Sequence, residues 1–552
     1  MLEVAAASAR QCSEWQQRVR AMRHALAWPD DAAVVSVYAS GASLAIAAAA
    51  DQLFTATEIN EWAWQAVACA TLALPLPNSP GHPAAWDFDS ARSTLEKLAA
   101  AEACPAAMAL MEAAASHGLP AFYDEDSLSI GAGQGSNTWA LGQLPESTDA
   151  VQWSTLGDIA TVLVTGSNAK TTTVRLLAAM CSASGLTTGF NCTDGIFIGG
   201  AQTERGDYSG PAGARQVLRD RRVQAAILET ARGGILRRGL AVRHANAAIV
   251  TNISADHFGE YGVHDLSDLA DAKLVVARAI GADGVLVLNA DDPVLVEKSV
   301  ALGCPLAWFS LDDDHPLLRA HRQGGGATCA VADDQLCLDI GGMRHRLGAV
   351  GSMPLTLGGS ARYNIANIAG AALVAASLGI APEVIAAVLT RFGSSRRDNP
   401  GRMERWQING SSILLDYAHN PDGLSGLLAV ANSLLRQTGG RLGLLLGQAG
   451  NRDDQAIAEL ARTAAAAGPD FVVLKDIEGY MRGRHSGEVA ALLRAELLRQ
   501  GMAESALRTI LSEVDAAQAT LAWARPGDVI VLPVHNLAAR ELLAAWLDAH
   551  VQ

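Results

Sequence analysis

Several features that announce a function are missing from this sequence. There is no basic excess: 42 Lys and Arg stand against 57 Asp and Glu, for a formal charge of −15. A nucleic-acid binder carries a basic patch or stripe, so nucleic acid is not an expected partner, and the acidic balance speaks for solubility. The eight cysteines (Cys12, Cys69, Cys104, Cys181, Cys192, Cys304, Cys329 and Cys337) include no CxxC pair. That scatter indicates neither a zinc site nor a redox pair and fits reduced thiols in a cytoplasmic protein. Met1 leads into Leu2 and Glu3 without the basic-then-apolar order of a signal peptide, so none is expected. One stretch, residues 32–50, is uncharged over a length that could span a membrane. It is built from Ala, Ser and Gly around Val34-Val35-Ser36-Val37. We read it as a strand, a turn at Gly41 and a small-residue helix, so no membrane is expected.

What is present is ordinary α/β composition: half the 552 residues are hydrophobic, with Ala and Gly abundant. The length calls for two to four domains, and three regions suggest themselves: 1–157, 158–399 and 400–552. In the first, Thr55-Ala56-Thr57-Glu58 has the form of a capping box opening a helix. The cluster Gly131-Ala132-Gly133-Gln134-Gly135-Ser136 reads as a turn, because no Lys follows it. The second region opens with the apolar run 159–164, and the runs 225–228, 247–250 and 284–288 follow. Each has the length and β-branched character of a buried strand and ends in polar or acidic residues. The polar segment 394–401, with Pro400-Gly401, marks a boundary. Beyond it the alternation resumes, with strands expected at 412–415, 442–446, 471–474 and 529–532. Strand–helix alternation of this kind predicts mainly parallel sheets with ligands at their carboxyl ends.

The densest chemistry is at Gly166-Ser167-Asn168-Ala169-Lys170-Thr171-Thr172, between an apolar strand and an apolar helix. That order is the phosphate loop: backbone N–H groups and the helix N-terminus take phosphate, Lys170 neutralises it, and the Thr171 hydroxyl suits Mg²⁺. The full Walker spacing is not met, since Val164 stands where its first Gly would be. Downstream, Glu229 follows the run 225–228, and Asn252 and His257 follow the run 247–250. In a parallel sheet these groups gather beside the loop, where Glu229 and His257 suit Mg²⁺. A strand-end Glu is usually a solvated residue or cap and a lone His usually structural; the grouping with Lys170 favours function.

The segments together resemble the Mur ligase family, which forms peptide bonds through acyl phosphates. Gly166 to Thr172 resembles its GTNGKTT loop, and Thr251-Asn252-Ile253-Ser254-Ala255-Asp256-His257 its TN…DH segment. The resemblance implies that Lys273 corresponds to a lysine often carbamylated to hold a second metal, and that Asn289, in Asn289-Ala290-Asp291-Asp292-Pro293, meets adenine. Tyr363-Asn364 stands for its HN segment, and Gly401-Arg402-Met403-Glu404 and Asp416-Tyr417-Ala418-His419-Asn420-Pro421 for GRME and DYAHNP. The implied fold is a P-loop-type, mainly parallel central domain followed by a Rossmann-like C-terminal domain, with an α/β or α+β N-terminal domain. ATP and Mg²⁺ are the implied cofactors. Gly166, Asn168, Ala169, Lys170, Thr171, Thr172, Asn289, Asn364, Arg402 and Asp416 would bind nucleotide, with Thr171, Glu229, His257 and Lys273 on metal.

Within the family, the segments around Asp194, Asp207, Arg232 and Arg482-Gly483-Arg484 resemble the Mur-like half of cyanophycin synthetases, and Ala56 to Ala63 their N-terminal domain. This implies peptide or cyanophycin-like acceptors and amino acid substrates, with Asp194, Asp207, Arg232, His419, Asn420, Arg482 and Arg484 as substrate contacts; Arg237 and Arg238 are similar. Homo-oligomer formation stays open. Two departures stand out. There is no room for the ATP-grasp domain those synthetases carry between the two parts, and Ala169 replaces the loop glycine, which is tolerable only at negative φ. Both keep a second class in play, a nucleotide-binding scaffold that has lost catalysis, while the domain opening at Gly401 argues against a plain ATPase or kinase.

Overall fold

The apolar runs pair side by side. In the computed structural model, which describes residues 1–38, 41–72, 87–255, 258 and 261–550, the strands are β1 Leu2–Ala5, β2 Val34–Tyr38, β3 Gly41–Ala45, β4 Ala121–Tyr123, β5 Ser127–Ile130, β6 Asn137–Ala140, β7 Ala160–Thr165, β8 Thr188–Cys192, β9 Gly195–Ile198, β10 Ala201–Arg205, β11 Ala225–Glu229, β12 Ala245–Val250, β13 Ile280–Asn289, β14 Leu306–Ser310, β15 Thr328–Ala332, β16 Gln335–Ile340, β17 Met343–Ala349, β18 Glu404–Ile408, β19 Ser411–Asp416, β20 Leu442–Leu446, β21 Phe471–Leu474, β22 Leu507–Thr509 and β23 Val529–Pro533.

Strands β7 to β17 form one 11-stranded sheet in the order β10-β9-β8-β11-β7-β12-β13-β14-β15-β16-β17. Its middle, β8 to β15, is parallel, and hairpins close both edges. Alternate residues feed two cores. Val162, Val164, Ile249 and Val287 meet the helices Lys170–Ala183 and Arg362–Ser377, while Leu163, Leu228, Val250 and Leu288 meet Pro211–Arg219 and Leu266–Leu274. Burial on both faces is why these strands read as continuous apolar runs. The 6-stranded sheet β18-β19-β23-β20-β21-β22 repeats the plan, parallel except at β18, again between two apolar clusters. All eight strands predicted in the second and third regions lie in these two sheets.

The first region differs from its reading at two points. Residues 41–45 form β3, the middle strand of the antiparallel sheet β1-β3-β2, and not a helix. Ala42 and Leu44 turn inward towards Trp15, Ile59 and Trp62, and alternation with period two is what a strand can bury. Gly41 is required by close approach, since a Cβ there would lie 1.9 Å from the Val4 carbonyl oxygen. The capping box does not form either. The helix Leu53–Leu72 starts earlier, and the Phe54 and Thr55 N–H groups donate to the Glu102 carboxylate at 2.7 and 2.8 Å. The cluster 131–136 is a turn, packed backbone to backbone against Gly157. Among the described residues no single helix is long and apolar enough to cross a membrane; one bent pair, Phe88–Glu102 with Pro105–Ser116, matches by length and composition.

Replacing Gly41 by Val should push β1 off β3 and lower stability by about 1–3 kcal/mol, read by urea denaturation with tryptophan fluorescence. An unchanged midpoint would contradict the close approach.

Candidate active site

Strand β7 ends at Thr165, and the loop that follows is clamped by the end of β12. Ser167 N–H donates to Asn252 O at 2.9 Å, Asn168 N–H to Asn252 Oδ1 at 2.9 Å, and Thr251 Oγ1 to Asn168 O at 2.7 Å. Gly166 sits at φ +147°, where a Cβ would fall 1.9 Å from Thr251 Oγ1. Ala169 departs from its expectation: it caps the helix Lys170–Ala183 at φ 69°, ψ 0°, in the left-handed region. The clamped loop imposes a conformation suited to glycine, at about 1–2 kcal/mol for a residue with a Cβ.

Lys170 Nζ donates to Gly166 O and Ser167 O at 3.1 and 3.0 Å, and Lys273 Nζ to Gly166 O at 2.8 Å. Thr171 Oγ1 donates to Glu229 Oε2 at 2.8 Å, and Thr193 Oγ1 to Oε1 at 3.2 Å. Burial pushes the Glu229 carboxyl above its usual range, with Lys170, the Thr171 bond and Arg402 opposing.

The second sheet brings its own carboxyl ends to this loop. Asn420 Nδ2 donates to Asn168 Oδ1 at 2.9 Å, and Asn168 Nδ2 to Asp422 at 2.8 Å. Asn399 Nδ2 donates to Thr172 Oγ1 at 3.1 Å. Arg402 lies 4.3 Å over the Tyr417 ring and Arg540 5.1 Å from it. Burial works against the Arg402 charge, but Asp194, Tyr417, Asp416 and Glu229 more than offset it. Its Nη1 is buried with no hydrogen-bond partner, which leaves a donor for an anion. Burial raises Asp416 despite Arg402 and three backbone N–H groups.

Between the sheets lies a cleft of about 1280 Å³. Of the predicted residues, Asn168, Ala169, Lys170, Thr171, Thr172, Glu229, Lys273, Asn289, Asn364, Arg402, Asp416, Asp207, Arg232, His419 and Arg482 line it. Gly166, Asp194, Asn420 and Arg484 do not. The Gly166 carbonyl is taken up by Lys170 and Lys273, and Asn420 caps the helix Pro421–Thr438. Arg484 is taken up by Gly450 O, Arg452 O, Asp454 and Glu488. Asp194 is buried, bonded to Arg540 at 2.9 Å and to Arg175 at 3.3 Å, so it joins the two sheets. His257 lies outside the described residues. Glu3 from β1, Asp422 and Asn399 line the cleft without having been foreseen, and Arg540 of the last helix lies against the cleft-lining Tyr417 ring. None carries a local motif.

Seven cations (Lys170, Lys273, Arg232, Arg237, Arg238, Arg402 and Arg482) and five carboxylates (Glu3, Asp207, Glu229, Asp416 and Asp422) line the cleft, a local cationic excess in a chain whose net charge is −15. A polyanion suits such a cleft. Among the described residues no three His, Cys, Asp or Glu side chains group as a metal site. The Thr171 hydroxyl and Glu229 carboxylate nevertheless form a pair of oxygen donors beside the loop, a set that fits a hard divalent cation sharing its shell with phosphate and water.

Residues 164–375 match the Mur ligase middle domain, and residues 401–533 the Mur ligase glutamate ligase domain. The chain belongs to the Mur ligase family. It is 36% identical over 378 residues to the cyanophycin synthetase of Trichormus variabilis, covering 68% of this chain and 41% of that one. The synthetase of Synechocystis sp. is 36% identical over 383 residues, covering 69% and 43%. The chain thus spans about two fifths of the length of these relatives. The UDP-N-acetylmuramoyl-L-alanyl-D-glutamate–2,6-diaminopimelate ligase of Chlorobium phaeobacteroides is 27% identical, covering 67% of this chain and 70% of that one. Among solved structures, Escherichia coli FolC with DHPP and ADP superposes with a TM-score of 0.51 at 18% identity, covering 71% of this chain and 89% of that one, a likeness of fold.

Two outcomes test the electrostatics. Burial alone would raise Asp194, yet Arg402, Arg540 and Arg175 hold it below its ordinary 3.8. A depressed folded value contributes stability above the unfolded pKa and loses it as pH falls through the folded one. Asp194→Asn should therefore cost about 3 kcal/mol at pH 7, and the difference from wild type should shrink below pH 4. Glu229 has the opposite sign: its folded value is raised, so the ionised carboxylate destabilises the fold at neutral pH. Glu229→Gln should unfold at a higher temperature than wild type at pH 7; a lower one would contradict the burial argument.

Proposed function

We propose that this chain is an ATP-dependent ligase that joins a carboxylate to an amine through an acyl phosphate. The observation that carries the reading is the phosphate loop with Lys170 and the Thr171–Glu229 pair on one wall, faced by Arg402 and Asp416 from the second sheet. In this scheme Lys170, Thr171 and Thr172 hold the phosphates of ATP, and Asn289, Asn364 and Asp416 the nucleoside side. A carboxylate oxygen of the acceptor attacks the γ-phosphorus; the bond to the β-phosphate oxygen breaks and ADP leaves. The amine then attacks the acyl carbon, a proton is lost, and inorganic phosphate departs. Lys170 and Arg402 neutralise charge on the transferring phosphoryl group, so catalysis is mostly positioning and electrostatics. Mg²⁺, held through Thr171, Glu229, His257 and a carbamylated Lys273, would supply charge neutralisation between the two reactants.

For the substrates, the relatives that are cyanophycin synthetases favour an aspartate-containing peptide or cyanophycin-like acceptor and an amino acid. Arg232 and Arg482 on the cleft wall suit a carboxylate-rich acceptor, because the guanidinium fork binds carboxylates bidentately. The regions 1–157, 158–399 and 400–552 would be three domains. A catalytically impaired scaffold is the second reading, favoured by the left-handed Ala169.

The assay is phosphate release from ATP and Mg²⁺ over amino acids paired with short aspartate peptides. Release should need one amine and one carboxylate together, and Lys170→Ala should abolish it with the fold intact. Turnover unaffected by that substitution would sink the scheme. Ala169→Gly should relieve the loop, adding about 1 kcal/mol of stability and raising turnover; nucleotide binding without release in both forms would favour the scaffold.

A further inference from the structure

Behind the cleft, in the second sheet, three ionisable side chains are buried together: Lys475 is 0% exposed, Glu513 1% and His535 6%. Lys475 follows β21, His535 follows β23, and Glu513 opens the helix Glu513–Trp523. The Lys475 ammonium donates to Glu513 and lies 3.2 Å from His535 Nδ1. Glu513 also accepts the His535 and Asn536 N–H groups at 2.9 and 3.0 Å. The far nitrogen of the ring, Nε2, lies 3.0 Å from the Ala418 carbonyl oxygen.

This geometry sets one tautomer. An ammonium at Nδ1 demands an acceptor there, and a carbonyl at Nε2 demands a donor, so the ring is neutral with its proton on Nε2. Burial and the Lys475 charge push the imidazole down to about 4, which keeps it neutral through the physiological range. Buried ion pairs add little net stability over apolar residues of the same volume. A role in folding stability alone therefore explains the group poorly.

Its open end explains it better. Ala418 belongs to residues 416–420, and Asp416, Tyr417, Ala418 and His419 all line the cleft. Ala418 N–H donates to Asp416 Oδ1 at 2.8 Å while its carbonyl takes the His535 proton, so both backbone groups are held. The same loop reaches the phosphate loop through Asn420 and Asn168. We infer that His535, oriented by Lys475 and Glu513, is a positioning residue that holds the Ala418 carbonyl and so sets the 416–420 loop on the nucleotide side of the cleft. The inference rests on the nucleotide-binding reading above.

Binding of AMPPNP with Mg²⁺ to the full chain, by titration calorimetry, tests it without requiring turnover. His535→Ala should weaken binding about tenfold, the loss of one buried hydrogen bond. His535→Gln, whose amide can donate to Ala418 while its oxygen accepts from Lys475, should restore affinity to within about threefold. Wild-type affinity in the alanine variant would overturn the inference, and so would equal weakening in both variants, which would point to ring packing. Should the alanine variant not fold, the Lys475→Met/Glu513→Gln pair, which frees the ring, should weaken binding in the same direction; unchanged affinity would overturn the inference. Wild type that binds no AMPPNP overturns the nucleotide reading itself, and this one with it.

Discussion

Asp194 ties the molecule together. It stands beyond the end of β8, and Arg175 of its own sheet's helix and Arg540 of the chain's last helix bond to it; Arg402 adds its charge from the second sheet. A carboxylate taken out of water is unfavourable by itself, and three guanidinium groups are what make it affordable. Two of those cations also lie against the Tyr417 ring, so the same charges that join the sheets hold a loop of the cleft wall. The cleft exists because the two sheets are held this way.

The site is assembled under tension. Glu229 is ionisable and fully enclosed, with two threonine hydroxyls and Lys170 as compensation. Ala169 takes a backbone conformation unfavourable for any residue with a Cβ. Arg402 keeps a buried donor without a partner. Each feature is unfavourable by itself, and under the proposed scheme a phosphate anion would meet the unpaired Arg402 donor and a cation the Glu229 carboxylate. Strain stored at a binding site in this manner is ordinary where the surrounding fold over-determines the geometry.

Much of the sheet architecture was legible. Eight strands of the two large sheets read as apolar runs, and each lies where it was foreseen. Others were not: β8, β14 and β15 lie in the parallel middle of the first sheet without having been foreseen, β10 is exposed along its length, and β16 and β17 alternate too irregularly to announce themselves. At residues 41–45 a run of small residues carried no period strong enough to separate helix from strand; the neighbouring strands decided. The Thr55 capping box failed because Glu102, distant in sequence, supplied the cap.

The sequence by itself determined the phosphate loop, the strand-end Glu229 and the segments shared with the Mur ligase family, because each is a short run of neighbours whose chemistry is local. Tertiary structure alone decided that Asp194 is a joint between the two sheets, that Arg484 is occupied by the loop it supports, and that Arg540 and His535 stand behind the cleft. Those roles depend on which strand ends face one another across two sheets, and that pairing is fixed by the burial of both sheets' faces, which no single segment records.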